Sequence, residues 1–400
     1  MVTTATTYTD NRYRASPGEG FDGVVRVSVG GSYGTGVLLY DGRAVLTAAH
    51  LWAQGGGAAS VVLETAMGTQ TLSAGLRLVH PDYDAANTGN DLALLWLGSA
   101  APAAAGRHTL YRHSDEIGQA FTLVGYGQPG TGSAGAQVLG GSPLRLKAQN
   151  TFDADSATLK LFLGAGMAWS PPPGTQLMAD FDNGSTDQDA LGRLVYRSGK
   201  GLGIDEGLLA PGDSGGPAFI NGKVAGIASY TASLSYGNVR PDVDTVANSS
   251  FGEVAAWQRV SHYQQWIDQS VRARYPDAPV RPDEVKKTVP EGHAGSSYAY
   301  FLLQFTGMRS DPDQWLSVDY ATRDGTARGG EDYLPGSGTL ILYPGELQAV
   351  IAVEVLGDTR PEPAENFYLD VFNPVGGSFG DGVVQLTAVR TIVDDDGWLG

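Results

Sequence analysis

Three features predict an all-β fold in two successive parts. Short apolar runs are punctuated by turn residues, glycine is abundant, and a proline- and charge-rich stretch divides two such patterns. The 400 residues include 56 Gly and 21 Pro, and a chain of this length suits two or three compact domains with sizeable cores.

The first pattern opens with residues 23–40, GVVRVSVGGSYGTGVLLY, two alternating runs around a Gly-rich turn that read as a β-hairpin. Further short apolar runs follow at 43–49, 60–63, 91–97, 122–126, 144–148, 158–163, 192–195, 216–220 and 223–230. Runs of this length between Gly, Asn and Pro point to strands of a barrel or sandwich. One helix is expected at 260–274, where Tyr263, Trp266, Ile267 and Val271 recur at helical spacing.

Residues 276–287 lie in a stretch of Pro and charge without apolar period, and read as a linker. A second β pattern follows at 297–305, 316–320, 338–342, 349–355, 367–372 and 383–393, about the size of one sandwich. The domains read as 1–275, a linker at 276–287, and 288–397.

The 26 Lys and Arg against 43 Asp and Glu give a net charge of -17. Nucleic acid and anionic membranes would repel such a chain, whereas bound divalent cations would relieve its self-repulsion. No apolar run reaches the ~20 residues that span a bilayer. The sequence has no cysteine, which removes disulfides and thiolate metal sites. The opening MVTTATTYTD lacks the basic and apolar regions of a Sec signal peptide.

Amide hydrolysis at neutral pH needs a nucleophile, a base to activate it and donors for the developing oxyanion. Ser214 lies in GDSGGP, where glycines allow a sharp turn that exposes its Oγ and aims the amides of Gly212 and Ser214 at one point. His50 closes LTAAH, and Asp91 opens the apolar run NDLALLWL. A carboxylate starting a buried strand needs a specific partner to stay ionised. Singly, these are an ordinary loop serine, a strand-end histidine and a turn aspartate. Their shared order and separation set them apart.

With TAAH, NDLALL and GDSGGP in this order, the first ~275 residues resemble the chymotrypsin/trypsin family of serine proteases. The resemblance implies two six-stranded β-barrels with a cleft between them and a closing C-terminal helix. It makes His50 the general base, Asp91 its orienting partner and Ser214 the nucleophile, with Gly212 and Ser214 amides as the oxyanion hole. HPDY at 80–83 and GYG at 125–127 add to it. Ser229 resembles the start of the strand that binds substrate backbone, and Thr231 falls on the expected wall of the specificity pocket. Leu208, six residues before the nucleophile, resembles the pocket floor, which implies an apolar P1 preference; Asp242 or Asp244 could restore an acid there. Activation in that family frees an N-terminal Ile or Val whose amine pairs with the acid before the nucleophile, here Asp213. No Ile-Val-Gly-Gly is present. The corresponding region is expected near Asn11, and Arg145 or Lys147 is expected to hold Asp213 instead.

In the second part, DGTARGGEDY, PGE, GDTRPEPAENF and TIVDDD set acids on separate loops, as calcium's six to eight oxygen ligands require. Residues 288–397 resemble a Calx-β domain, an immunoglobulin-like sandwich of sodium/calcium exchangers and many bacterial surface proteins. By that resemblance the Ca²⁺ ligands are Glu291, Asp332, Asp358, Glu362, Glu365, Asp394, Asp395 and Asp396. Gly357 stands where calcium-binding members usually carry another acid. A third cluster, DFDNGSTDQD at 180–189, fails the EF-hand register because Gly184 falls one place short. It reads as a loop of Asx turns or as a calcium-stabilised loop.

These readings describe a serine endopeptidase acting on protein or peptide substrates outside the cell or at its surface, either by itself or as a piece of a larger secreted chain. An esterase shares the acyl-transfer chemistry. The rival of another class is a calcium-dependent adhesin or matrix-binding protein on a protease scaffold, which would have no need of an intact triad.

Overall fold

The computed structural model describes residues 2–53 and 55–396, so Gly397, the expected end of the sandwich, lies outside the described residues. Two compact units emerge, one of residues 1–98 and 104–264, the other of 99–103 and 265–400. The division falls inside the closing helix.

The first unit begins with a closed six-stranded barrel. Its strands are β1 (Val24–Val29), β2 (Ser32–Leu38), β3 (Ala44–Thr47), β4 (Ala59–Thr65), β5 (Gly68–Val79) and β6 (Ala93–Leu97). They run in the order β1-β2-β3-β6-β5-β4, with β4 returning to β1. The expected hairpin is β1–β2; Gly30 and Gly31 turn it with φ of 56° and 90°, a conformation side chains resist. The strand β5 went unpredicted because most of its side chains face solvent and leave no apolar alternation.

A seven-stranded sheet follows, made of β7 (Ala120–Gly125), β8 (Leu146–Thr151), β9 (Ala154–Asp155), β10 (Gln176–Asp180), β11 (Pro217–Ile220), β12 (Lys223–Ala232) and β13 (Val254–Arg259). The order is β8-β7-β11-β12-β13-β10-β9. The ladder stops short of closing β8 onto β10. Asn150 spans the gap by side chain, donating to the carbonyls of Asp180 at 2.7 Å and Gly207 at 3.0 Å. Trp257, Phe121 and Phe152 pack edge-to-face and stacked in its core. Side chains of this size are worth about 1.5–3 kcal/mol each against exposure.

Two expected strand-like runs are helical. Residues 158–163 lie in α1 (Ser156–Leu163), capped by Asp155, whose carboxylate accepts from the Thr158 amide. Residues 192–195 lie in α2 (Ala190–Val195), capped in the same way by Asp189 on Gly192. An Asp just before an apolar run satisfies amides that a helix start leaves unpaired. The closing helix, α3, spans Val260–Arg272 as predicted to within two residues.

Within the second unit, the end of α3 is tied down by Arg272 on Glu346 at 3.0 Å and by Tyr343 Oη donating to Asp268 at 2.7 Å. The sandwich has strands β14 (Thr288–Pro290), β15 (Gly295–Gln304), β16 (Leu316–Asp324), β17 (Ser337–Leu342), β18 (Gln348–Gly357), β19 (Glu365–Val375) and β20 (Gln385–Val393). One sheet runs β14-β20-β19-β16-β17 and the other pairs β15 with β18. Phe301, Tyr333, Phe367 and Ile351 fill the space between them.

Candidate active site and acidic clusters

His50 sits in a short 3₁₀ turn, Ala49–Trp52, directly after β3, and Asp91 precedes β6, the neighbour of β3. Asn90 takes a left-handed φ of 52°, which asparagine tolerates better than most residues, and brings Asp91 to face the turn. Asp91 Oδ2 lies 2.7 Å from His50 Nδ1, and Oδ1 accepts the His50 amide at 2.8 Å. Asp91 is buried while the His50 side chain is 32% exposed, which leaves the ring reachable from solvent. Ser229 Oγ donates to Asp91 Oδ2 at 2.6 Å. Gln258 Nε2 reaches Ser229 Oγ at 3.3 Å, and Tyr263 Oη donates to Gln258 Oε1 at 3.2 Å. The His50 and Ser229 contacts together hold Asp91 in place.

Ser214 lies on a loop that only glycines permit. At Gly212, with φ of 98°, a Cβ would come within 2.8 Å of the Tyr33 ring; at Gly215, with φ of 83°, within 2.1 Å of Thr47 Oγ1. The amides of Gly212 and Ser214 donate to no other group among the described residues, as an oxyanion hole requires. Thr35 clamps the loop from β2. Its Oγ1 donates to the Gly212 carbonyl at 2.9 Å and its amide to the Ser214 carbonyl at 2.8 Å. Thr47 Oγ1 in turn holds the Thr35 carbonyl at 2.6 Å. A threonine between glycines carries no sequence signal of such a role, and it went unpredicted.

A cavity of about 130 Å³ beside the nucleophile is lined by Leu209, Ala210, Pro211, Ser214, Ser229, Tyr230 and Thr231. Ser229 and Thr231 line this cavity; Leu208 does not. Its side chain is wholly buried in the core with Val2, Leu146 and Trp257, and the pocket is lined instead by the next two residues. No acid is among the lining residues; Asp242 is engaged by Ser233 and Ser250 hydroxyls.

Asp213 is buried and accepts amides from Gly127 at 2.8 Å and Ala210 at 2.9 Å. Burial pushes its carboxyl up to about 6, partly opposed by the Ala210 amide. The expected cations are elsewhere. Arg145 forms a buried pair with Asp22 at 2.8 Å and donates to the carbonyls of Ala15, Val24 and Glu64, while Lys147 faces Glu19. Thr3–Thr4 are fully buried, antiparallel to Gly207–Leu208 and parallel to Gly130–Thr131.

In the sandwich, register collects the acids at one end. β14 and β20 run parallel and finish together, Glu365 at the start of β19 pairs with Ile392 near the end of β20, and β18 ends just before Asp358. Ligand atoms of Asp332, Glu362 and Glu365 lie within 4.8 Å of one another. Burial, then the charges of Asp358, Glu362, Asp394 and Asp332, pushes Glu291 up to about 7, so these six acids share one end. Asp395 and Asp396 are engaged differently. Asp395 Oδ1 accepts the Gly292 amide at 2.8 Å, and Asp396 Oδ1 pairs with His293.

The trypsin family model matches residues 11–158, which include His50 and Asp91 and end before Ser214. The Calx-beta domain model matches 304–396. Human sodium/calcium exchanger 2 is 34% identical over 108 residues, 24% of this chain and 12% of that protein. The Drosophila melanogaster exchanger Calx is 37% identical over 91 residues, 22% of this chain and 9% of its own. This chain therefore spans about a tenth of these relatives' length. Among solved structures, mouse neuropsin, a serine protease expressed in the limbic system, aligns over 63% of this chain and 95% of its own at 18% identity, with a TM-score of 0.44. The chain joins a trypsin-like serine protease domain to a Calx-beta domain.

Proposed function

We propose that this chain is a serine endopeptidase using His50, Asp91 and Ser214. The observation that carries the reading is the doubly held Asp91. Its Oδ2 meets both His50 Nδ1 at 2.7 Å and Ser229 Oγ at 2.6 Å, beside a pocket that Ser214 lines. An ionised Asp91 keeps the proton on Nδ1, so Nε2 is free to take the Ser214 proton. Ser214 Oγ then attacks the substrate carbonyl, the Gly212 and Ser214 amides receive the oxyanion, and His50 returns the proton to the leaving amine. Water repeats the sequence on the acyl-enzyme. A scaffold used for adhesion alone would need neither this carboxylate geometry nor amides held without partners.

The pocket supports a small or medium apolar P1 residue, since Leu209, Ala210 and Pro211 offer no charge for Lys or Arg. The Calx-beta domain supports calcium binding, and its residues suit the ion. The donors are carboxylate oxygens, and among the described residues Asp396 Oδ2 is buried without a hydrogen-bond partner. Asp332, Glu362, Glu365 and Glu291 would hold it, and a bound ion would supply the positive charge that lets them lie together. Both domains suit a calcium-rich setting outside the cell or at its surface.

A fluorophosphonate probe tests the enzyme reading. Labelling and peptide hydrolysis are expected for the native chain and lost together in Ser214→Ala. Undiminished hydrolysis in that variant would refute the assignment.

A further inference from the structure

The strongest unassigned feature is a cage of acids buried inside the protease unit. Asp180 ends β10, Asp182 follows two residues later, and Asp189 caps α2. All three are at most 3% exposed, and their ligand atoms lie within 4.8 Å of one another. Glu206 and Asp153 border the same cage. Glu206 accepts the Asp182 amide at 2.7 Å, and Asp153 shares a hydrogen bond with Asp180.

Most of these oxygens have partners that are amides or hydroxyls, not cations. Asp180 Oδ2 takes the Leu191 amide at 2.6 Å, and Asp189 takes the Gly192 amide and the Ser198 hydroxyl, both at 2.7 Å. Asp182 Oδ1 is fully buried and, among the described residues, has no hydrogen-bond partner. Among the described residues none of the five acids forms a salt bridge. An unpaired buried carboxylate is costly, and several that crowd together cost more, unless protons or a cation neutralise them.

We propose that Asp180, Asp182 and Asp189 bind a divalent cation, calcium by the all-oxygen character of the donors, with Asp153 and Glu206 completing the negative cage. Calcium tolerates irregular geometry and mixed protein and water oxygens, which suits three carboxylates drawn from a strand end, a loop and a helix cap. The ion would brace the pocket wall. Glu206 anchors the Leu202 amide and leads directly into Gly207–Leu208 and the pocket residues Leu209 and Ala210.

The sandwich supplies a second set of acids, so the test separates the two. Calcium chloride is titrated calorimetrically into the metal-stripped full chain carrying Glu362→Gln and Glu365→Gln. One calcium is expected to remain, and adding Asp182→Asn is expected to weaken it by about tenfold or more. No calcium heat in the first variant, or heat unchanged by Asp182→Asn, would overturn the proposal. So would calcium-independent stabilisation by Asp182→Asn, the mark of a cage held by protons alone. Should Asp182→Asn not fold, crystals of the native chain soaked in manganese chloride decide the matter by anomalous scattering. A peak within about 2.6 Å of the Asp180, Asp182 and Asp189 carboxylates is expected. A cage without a peak under soaking would overturn it.

Discussion

Ser229 Oγ donates to the same Asp91 oxygen that faces His50 Nδ1, at 2.6 Å against 2.7 Å. The carboxylate is therefore fixed from two sides, and removing either contact tests a different thing. Asp91→Asn puts a donor where an acceptor must be and selects the wrong His50 tautomer. A fall in kcat of about 10⁴ is expected, the size this change has in the serine-protease template. Ser229→Ala leaves the tautomer correct and removes one hydrogen bond to a charged group, worth about 1.5–3 kcal/mol. Part of that falls on the transition state, so kcat should drop by about tenfold with KM nearly unchanged. Steady-state kinetics on a peptide anilide measure both, and equal losses in the two variants would contradict this division.

Specificity is expected to follow the lining residues. Peptides with Ala, Val or Leu at P1 should be cleaved in preference to Lys or Arg, as read by mass spectrometry of products from a denatured protein mixture. Ala210→Asp should raise relative cleavage after Lys and Arg, because it places a carboxylate in the cavity wall. Leu208→Asp should instead lower the melting temperature without changing preference, since its side chain is buried in the core beside Trp257. A basic preference gained in Leu208→Asp would return that residue to the pocket floor.

What could be read in advance divides along a physical line. TAAH, NDLALL and GDSGGP were legible as a set, through their order and separation and their resemblance to a known family. The hairpin at 24–38 and the sandwich strands were legible in their apolar alternation and turn residues. Leu208 was misread because a side chain's inward or outward direction depends on its neighbours. Here Thr3–Thr4 pairs alongside and turns that position into the core. The helices α1 and α2 were missed because their apolar runs are strand-length; Asp155 and Asp189, each set before such a run, were the available signals. The partners of Arg145 and Lys147 lie more than a hundred residues away in sequence, on Asp22 and Glu19. Local pattern holds no trace of them.

Acid should destabilise the protease unit through His108. The ring is buried against Phe219, with centroids 4.8 Å apart, and among the described residues Nε2 has no hydrogen-bond partner. Burial lowers its pKa from 6.5 to about 4, partly opposed by a hydrogen bond with the Gly222 backbone. The folded state thus resists a proton that the unfolded chain accepts. Its contribution is complete above pH 6.5 and declines as pH falls toward about 4, by on the order of 3 kcal/mol in all. Thermal unfolding at pH 7 and pH 4.5 should show a smaller difference in His108→Gln than in the native chain. An unchanged difference would place the acid sensitivity elsewhere.

Calcium should stabilise the sandwich, and the ligands should not contribute equally. In the Asp182→Asn background, where the proposed cage is weakened, the sandwich is the main responder. An ion that binds only the folded form adds about 2.7 kcal/mol at a hundredfold excess over Kd. Melting followed by calorimetry should therefore rise between chelator and millimolar calcium. Glu362→Gln should shrink that rise strongly, because Glu362 lies within the three-acid group and adds to the charge that burdens Glu291. Asp395→Asn should shrink it less. Its Oδ1 is already committed to the Gly292 amide, and asparagine keeps an acceptor there. Equal losses in the two variants would make Asp395 a ligand on a par with Glu362. No calcium response in the parent would leave the acids as a solvated edge of a plain spacer.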